Sequence, residues 1–408
     1  MKEMEKVLTT DEIKVLIDND KTSDKKQFAR TGERYYDGDH DINKYRLFYY
    51  NADGKLVEDL TRSNVRISHP FFTELVDQCT QYVLSGDRFV VADDQKLQTY
   101  MDNYFNNNDS FISELSDCIT DSQVKGWAYM YAYKNAKDKM AFAAADALDV
   151  IEVREKDADD GCKYTIYHYI ERIDKGRKII KRIQVWDEKE TWFYTQVDGG
   201  DIQLDESKLN PRPHVLYTQG DKKDATYFDG FGYIPFIRLD NNKKQFSSLK
   251  PVKPLIDDYD LMASSLSNNL IDFDSPIYAI KGFEGDNLDE LQTNLKTKKL
   301  IGVGENGDVD VKTVDVPYQA RQAKLDLDEK NIYRFGMGLN TAGLKDTSAT
   351  TNIAIKAAYS LLDLKAKKIE KNLKKMLRKL VEIVVDEINN ADGTAYQVAV
   401  SYTHLTLP

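Results

Sequence analysis

Three glycines, Gly302, Gly304 and Gly307, form the pattern Gly-x-Gly-x-x-Gly after an apolar run, and such a pattern can cradle the pyrophosphate of a dinucleotide. A site of this kind needs a helix directly after the glycines, because the helix N-terminus receives the phosphates. Here the chain continues as DVDVKTVDV, whose alternation of polar and apolar residues predicts a strand. We therefore predict a glycine-rich hairpin turn. The sequence also lacks the Gly-x-x-x-x-Gly-Lys-Ser/Thr loop that holds ATP.

Three aspartates, Asp37, Asp39 and Asp41, are spaced like the opening of a calcium-binding loop. Such a loop needs glycine at its sixth position and glutamate at its twelfth, and this chain has Ile42 and Phe48 there. The aspartates are therefore predicted to cap backbone groups of an ordinary loop.

The histidines and cysteines also lack the spacing of a catalytic or metal site. These residues are His40, His69, His168, His214, His404, Cys79, Cys118 and Cys162. We predict no catalytic residue, no metal and no cofactor, and we expect the cysteines to be reduced thiols.

Cationic side chains crowd one side of a helix that the spacing predicts from about Ile353 to Ile388. They are Lys365, Lys367, Lys368, Lys371, Lys374, Lys375, Arg378 and Lys379. Two interpretations stay open: a face that is solvated or paired with acids of a neighbouring subunit, and a surface that contacts DNA. The segment before it, Gly338 to Asn352, is rich in Gly, Ala, Ser and Thr. It could contact phosphates weakly or be an ordinary helix connection.

Length and composition place these features in a globular protein of mixed helices and strands. The 408 residues suffice for two or three domains, and the formal net charge of −11 argues against a surface that binds nucleic acid all over. Helical spacing occurs from Ser68 to Gly86 and from Asp109 to Val124. The aromatic stripe from Trp127 to Tyr133 alternates at the strand period and is interpreted as one face of a buried sheet, the alternative being a surface that stacks unpaired bases. Residues 140–239 predict a β meander. No apolar run is long enough for a membrane span, and we read the chain as cytoplasmic during synthesis.

A long amphipathic helix follows the meander. Apolar residues recur from Val252 to Ile271 at helical spacing, and Ser247 and Ser248 are candidates to cap its start. Its polar side, which includes Ser264 and Asn268, is expected to face another copy of the chain or a water-filled space.

Four stretches follow one another along the chain: YYDGDHDI with Arg46, VRISHPFFTELVDQCTQYVLSGDRFVV, the stretch from Phe231 to Glu284, and FGMGLNTAGLKDTSATTNIAIKAAYSLLDLKAKKIE. In this order they resemble the bacteriophage portal proteins of the SPP1-like family. The resemblance covers roughly residues 30 to 395. It implies an α+β portal fold with an α/β wing, a helical stem, a small β-containing clip and a long C-terminal helix.

The resemblance also implies a domain order. It comprises an N-terminal arm (1–30), the wing (31–247), a stem helix (248–274), the clip (275–317), a second stem helix (318–336), a tunnel loop (337–352), and a long helix returning to the wing (353–400). The tail SYTHLTLP, residues 401–408, departs from the family. We expect the natural protein to continue into a crown there.

The function that the resemblance implies is that of a portal, or head-to-tail connector. Copies of the chain, twelve if it follows the family, would form a closed ring through which double-stranded DNA enters and leaves the capsid.

The expected partners are the terminase large subunit, head-completion or adaptor proteins, and capsid and scaffolding proteins. The expected location is the portal vertex of the virion, with host cytoplasm during assembly and no membrane. Two other classes stay open: a nucleic-acid-binding protein that uses the Lys-rich helix, and an enzyme whose site is assembled from distant residues.

Candidate site residues follow from this implied function. The tunnel loop would present Asn340, Lys345, Thr347, Ser348 and Thr351 to DNA. A uniformly basic bore would hold DNA still, because each neutralised phosphate adds affinity. We therefore predict that acids on the second stem helix line the channel, namely Asp326, Asp328 and Glu329.

Overall fold

The computed structural model describes residues 8–86, 88–135, 139–154, 162–218, 226–273, 277–281, 306–312, 317–341 and 352–397. These residues form two compact units, and both mix helices with strands. The first unit contains Met1–Gly38, Pro70–Lys253 and Ile332–Pro408. The second contains Asp39–His69 and Pro254–Asn331.

The helices that build the first unit come from three separate parts of the chain. They are α1 (Thr10–Thr22), α2 (Asp24–Tyr36), α3 (Phe71–Val83), α4 (Gln95–Met101), α5 (Asp109–Lys125) and α8 (Asn352–Asp392). The last turn of α7 (Tyr318–Gly336) also belongs to this unit.

The strands of the first unit are all paired antiparallel. They are β3 (Trp127–Lys134), β4 (Met140–Ala145), β5 (Val150–Val153), β6 (Tyr164–Ile173), β7 (Lys178–Trp186), β8 (Glu190–Val197), β9 (Ile202–Leu204), β10 (Arg212–Pro213), β11 (Val215–Thr218), β12 (Thr226–Asp229) and β13 (Phe236–Asp240). One sheet has the order β13-β3-β4, and a larger one has the order β10-β8-β7-β6-β5 with β9 on β8. β11 and β12 form a separate hairpin. β5 to β9 form the meander that the alternation predicted, whereas β4 and β13, at the two ends of residues 140–239, pair with β3 in the other sheet.

The main core lies between the three-stranded sheet and helices α3, α5 and α8. Leu115, Met130, Leu239, Leu373 and Leu380 are all buried in it. Each such side chain contributes about 1.5–3 kcal/mol by leaving water, so this layer dominates the stability of the first unit.

The opposite face of β3 carries the aromatic residues. Trp127 and Tyr129 are buried there beside Ala29 and Val150. The interpretation of the stripe as one face of a buried sheet is confirmed.

The residues assigned to the N-terminal arm are helical from Thr10 onward. Thr9 and Glu12 form a capping box at the start of α1: Glu12 N–H donates to Thr9 Oγ1 at 3.2 Å, and Thr9 N–H donates to Glu12 Oε2 at 2.8 Å. Ile13 and Ile17 then pack against the larger sheet. The signal was present in the sequence, because Thr-x-x-Glu before an apolar pair marks a helix start.

Among its described residues, the second unit contains two strand pairs and most of two long helices. Its elements are β1 (Phe48–Tyr50), β2 (Leu56–Glu58), α6 (Lys253–Phe273, from Pro254 onward), β14 (Ile277–Lys281), β15 (Asp308–Lys312) and α7 as far as Asn331. β14 pairs with β15. Gly307 directly precedes β15, whereas Gly302 and Gly304 lie outside the described residues.

α6 begins later than its serines suggested. Ser247 is buried, and its hydroxyl accepts a hydrogen bond from Leu249 N–H at 3.1 Å in a turn that precedes the helix. The helix itself begins at Lys253. Ser247 is therefore a turn residue, not the cap of α6.

No described helix is both long enough and apolar enough to span a membrane.

Candidate functional site

A row of polar side chains on α6 binds the backbone of an extended segment, residues 63–69, which we call the strap. The row is Asp260, Ser264, Asn268 and Asp272. In that order its oxygens accept hydrogen bonds from the N–H groups of His69 (2.9 Å), Ile67 (3.0 Å), Val65 (2.6 Å) and Ser63 (3.2 Å). The row and the strap therefore run antiparallel.

The spacing of this row explains why it fits the strap. Four helical residues rise about 6.0 Å. Two extended residues span about 6.6 Å. Every fourth side chain of α6 can therefore meet every second backbone amide of the strap.

This arrangement corrects the expectation that the polar side of α6 faces another copy or water. Ser264 and Asn268 are used within the chain. The strap also lies in the compact unit that contains residues 254–331, although the resemblance placed it within the wing at 31–247. The physical reason is that its backbone amides find their acceptors on α6.

Asp260 is the centre of this row, and none of its side chain is exposed. Its Oδ2 lies 2.6 Å from His40 Nδ1 and its Oδ1 lies 2.8 Å from His69 Nδ1. Because a carboxylate can only accept, each Nδ1 donates. Burial acts to raise the pKa of Asp260, but the hydrogen bonds from His40 and His69 outweigh it, so this pKa lies below its ordinary value.

The three acids predicted to line a channel lie in different surroundings on α7. Asp326 is exposed, Glu329 is partly buried, and Asp328 is 2% exposed. Lys324 forms ion pairs with Asp328 and with Asp258, the latter at 2.5 Å. Of the three carboxylates, Asp326 is thus the most accessible in a single copy.

The start of the predicted tunnel loop is anchored to α3 within the first unit. Gln78 donates to the Leu339 carbonyl at 3.0 Å and accepts from Leu339 N–H at 2.9 Å. A Cβ added to Gly338 would lie 2.2 Å from Leu75 Cδ2, so a larger residue there would displace the buried Leu75 side chain. Asn340 follows this anchor and is partly buried. Lys345, Thr347, Ser348 and Thr351 lie outside the described residues.

The Lys-rich side of α8 carries seven exposed cations, which we call the basic stripe. They are Lys367, Lys368, Lys371, Lys374, Lys375, Arg378 and Lys379. Lys365, which the sequence placed with them, is buried and donates to the Leu75 carbonyl at 3.0 Å. Leu361 and Leu364, although apolar, are exposed, because the buried row of α8 runs through Leu362, Ala366 and Ile369.

The described residues contain no group of three or more histidine, cysteine or acidic side chains placed to hold a metal ion. Cys79 and Cys118 are buried free thiols. Sequence reasoning missed the contacts of Asp260 with His40 and His69, because these residues are about 190 to 220 positions apart along the chain.

The family model "Phage portal protein, SPP1 Gp6-like" matches residues 15–406, and the chain belongs to that family. It is therefore a structural, non-enzymatic component of a phage. The portal protein of Bacillus phage SPP1 is 28% identical over 349 residues, which covers 85% of this chain and 67% of that protein. The portal protein of Clostridium phage phiCD119 is 23% identical over 375 residues, 88% of this chain and 79% of that one.

A solved structure, "Neck of native GTA particle computed with C12 symmetry", is also similar at 12% identity. The match covers 72% of this chain and 72% of that one. Its TM-score of 0.36 is too low to establish a shared fold. The prediction of a phage portal is confirmed by the family match and the two relatives.

Proposed function

We propose that copies of this chain, twelve if it follows its family, close into a ring through whose channel double-stranded DNA enters the capsid and later leaves it. The observation that carries this proposal is the match to the SPP1 Gp6-like portal family over residues 15–406. The ring, its copy number and its DNA channel are our extension of that family membership to this chain.

The exposure of α7 supports assembly. Between residues 317 and 331 only Leu325 and Asp328 are buried within a single copy. A helix exposed on almost every side gains little from its own chain. Contacts between different surfaces of neighbouring copies, which can close into a ring, would cover it.

The charge of the channel wall decides whether DNA can slide. Fixed cations facing the duplex would add salt-sensitive affinity for each phosphate they neutralise. We propose that α7 contributes the exposed Asp326 and the partly buried Glu329 to the wall. Asp328 contributes as the buried partner of Lys324, whose charge it offsets.

The partners follow from this role. We propose that the terminase large subunit docks on the clip and supplies the ATP hydrolysis that drives packaging, since this chain has no ATP-binding loop of the Gly-x-x-x-x-Gly-Lys-Ser/Thr type. Head-completion proteins would bind the same region afterwards, and capsid and scaffolding proteins would surround the ring. The ring would reside at the portal vertex of the virion after assembly in the host cytoplasm.

Mass measurement tests the ring directly. One chain has a mass of 46.8 kDa, so we expect light scattering of the purified protein to give particles of several hundred kilodaltons. Negative-stain images should show a central opening. Solitary 46.8 kDa molecules at every salt and protein concentration would contradict the proposal.

Substitution of Lys345 tests the tunnel loop. We expect Lys345→Ala to impair DNA packaging without changing ring mass, because the side chain would touch moving phosphates and take no part in subunit contacts. The measurement is the amount of DNA protected from nuclease in an in vitro packaging reaction. Lys178→Ala, at an exposed position on β7, is the matched control. Packaging at the control level would remove Lys345 from the loop's DNA-facing residues.

A further inference from the structure

One exposed row of charged residues on α8 changes sign along its length. Its members follow one another at intervals of three or four residues, so they lie on the same side of the helix. They are Lys368, Lys371, Lys375, Lys379, Glu382 and Asp386, and all six are exposed. The four lysines belong to the basic stripe. We call the two acids at the other end, Glu382 and Asp386, the acidic pair.

The charges of this row are not neutralised within a single copy. The described ion pairs of α8 include Lys367 with Asp363, and Glu387 with Lys134. Among the described residues, no ion pair includes a member of the row. Like charges three or four residues apart destabilise a helix, and the four lysines have that spacing. A negative surface that covers them would therefore stabilise α8.

The acidic pair argues against nucleic acid as the occupant of this row. The lysines extend over about 17 Å of the helix axis, and the whole row extends over about 27 Å. Duplex DNA laid along it would gain at the lysines and be repelled by the carboxylates that follow them. A helix that binds nucleic acid along its length carries a continuous positive face. This row does not.

A second copy of the chain offers both signs of charge at matching intervals. Lys371 and Lys375 are four residues apart. The acidic pair has the same spacing and lies eleven residues further along α8. A neighbour displaced along the helix by that interval, about 17 Å, would bring Lys371 of one copy opposite Glu382 of the other. The same displacement would bring Lys375 opposite Asp386.

We propose that α8 forms an electrostatic contact between neighbouring copies, in which Lys371 and Lys375 of one copy pair with the acidic pair of the next. This inference rests on the proposed ring, whose contacts join two different surfaces of the same chain. Copies in a ring are related by rotation about one axis. The displacement between neighbours therefore requires α8 to be inclined to that axis.

Charge reversal of either side tests the contact in the full chain. The glutamate variant is Lys371→Glu with Lys375→Glu, and the lysine variant is Glu382→Lys with Asp386→Lys. Each variant alone places like charges across the contact, so we expect it to need on the order of 100-fold more protein for half-maximal ring formation, measured by light scattering. The control, Lys178→Glu with Lys189→Glu, reverses two exposed charges elsewhere in the first unit and should assemble like the unmodified chain.

Mixing the two variants is the decisive measurement. In an equimolar mixture the new glutamates of one variant can meet the new lysines of the other, and the unmodified charges can meet as well. Rings of alternating composition, which an even copy number allows, should therefore form at about the concentration that the unmodified chain needs. One chain that carries all four substitutions should also assemble. Mixing would not repair a damaged fold or a lost contact with DNA.

The outcomes separate this contact from the ring itself. If either variant alone forms rings as readily as the unmodified chain, or if the mixture does not restore assembly, the contact is overturned and the ring stands. The same holds if the glutamate variant loses affinity for a duplex DNA probe while its ring formation is unchanged, because the lysines would then serve DNA. If the unmodified chain stays monomeric at every protein and salt concentration, both proposals are overturned.

Discussion

Asp260→Ala is expected to detach the His69 end of the strap from α6. The free energy that holds this end in place should fall by about 3–5 kcal/mol. The substitution removes a buried carboxylate that accepts from His69 N–H, His69 Nδ1 and His40 Nδ1. Both imidazoles would lose a charged acceptor, and hydrogen bonds to charged groups are the strong ones. Hydrogen exchange resolved to single amides measures the effect, because it reports local opening in a large protein.

The unmodified chain should show an alternating pattern in that experiment. Amides 63, 65, 67 and 69 are expected to exchange more slowly than amides 64, 66 and 68, since only the odd-numbered ones donate to the row on α6. In Asp260→Ala the amide of His69 should lose its protection first.

Asp272→Ala is the matched control. It removes the exposed last acceptor of the same row, whose bond to Ser63 N–H is 3.2 Å long. We expect a change of about 1 kcal/mol or less. Equal effects of the two substitutions would show that Asp260 has no special role.

The contribution of Asp260 also depends on pH in a defined direction. Its pKa in the folded chain lies below its ordinary value of 3.8. The stabilising effect is therefore complete above about pH 4 and is lost as the pH falls through the lowered pKa. Asp260→Ala should lack this component of acid destabilisation, whereas Asp272→Ala should keep it.

Lys365→Met, in contrast to Asp260→Ala, is expected to increase stability. The free energy of unfolding of the first unit should rise by about 1–3 kcal/mol. The lysine is 7% exposed and its ammonium reaches the Leu75 carbonyl, which lies inside α3. Burial lowers the pKa of Lys365, which means that the folded environment disfavours its charge. Methionine fills a similar volume without that cost.

The gain from Lys365→Met should also shrink at high pH. The unfolded chain holds the lysine proton up to about pH 10.5, whereas the folded chain releases it earlier. The unmodified protein therefore gains stability as the pH rises through that window, and the variant does not. Denaturant unfolding at pH 7 and pH 10 measures the difference. Lys367→Met, at an exposed position paired with Asp363, is the control. A loss of stability on Lys365→Met would show that its hydrogen bond outweighs its desolvation.

Local periodicity determined much of this fold. The alternation of residues 140–239 predicted the antiparallel meander, and apolar spacing predicted α3 and α5 to within a few residues. The residues that the resemblance assigned to a second stem helix, 318–336, coincide with α7. The order of four motifs led to the portal family, and that membership is confirmed.

Tertiary structure alone decided which polar and charged side chains the chain uses internally. Asp260, Ser264 and Asn268 have the composition of a solvated helix face, yet they bind the strap, because an unpaired backbone amide costs more than an ordered side chain. Lys365 has the sequence pattern of a surface lysine. It lies against α3 because the side of α8 that is buried there also carries Leu362, Ala366 and Ile369. Periodicity within one segment determines secondary structure, whereas these contacts join residues about 190 to 290 positions apart, so only the folded chain brings them together.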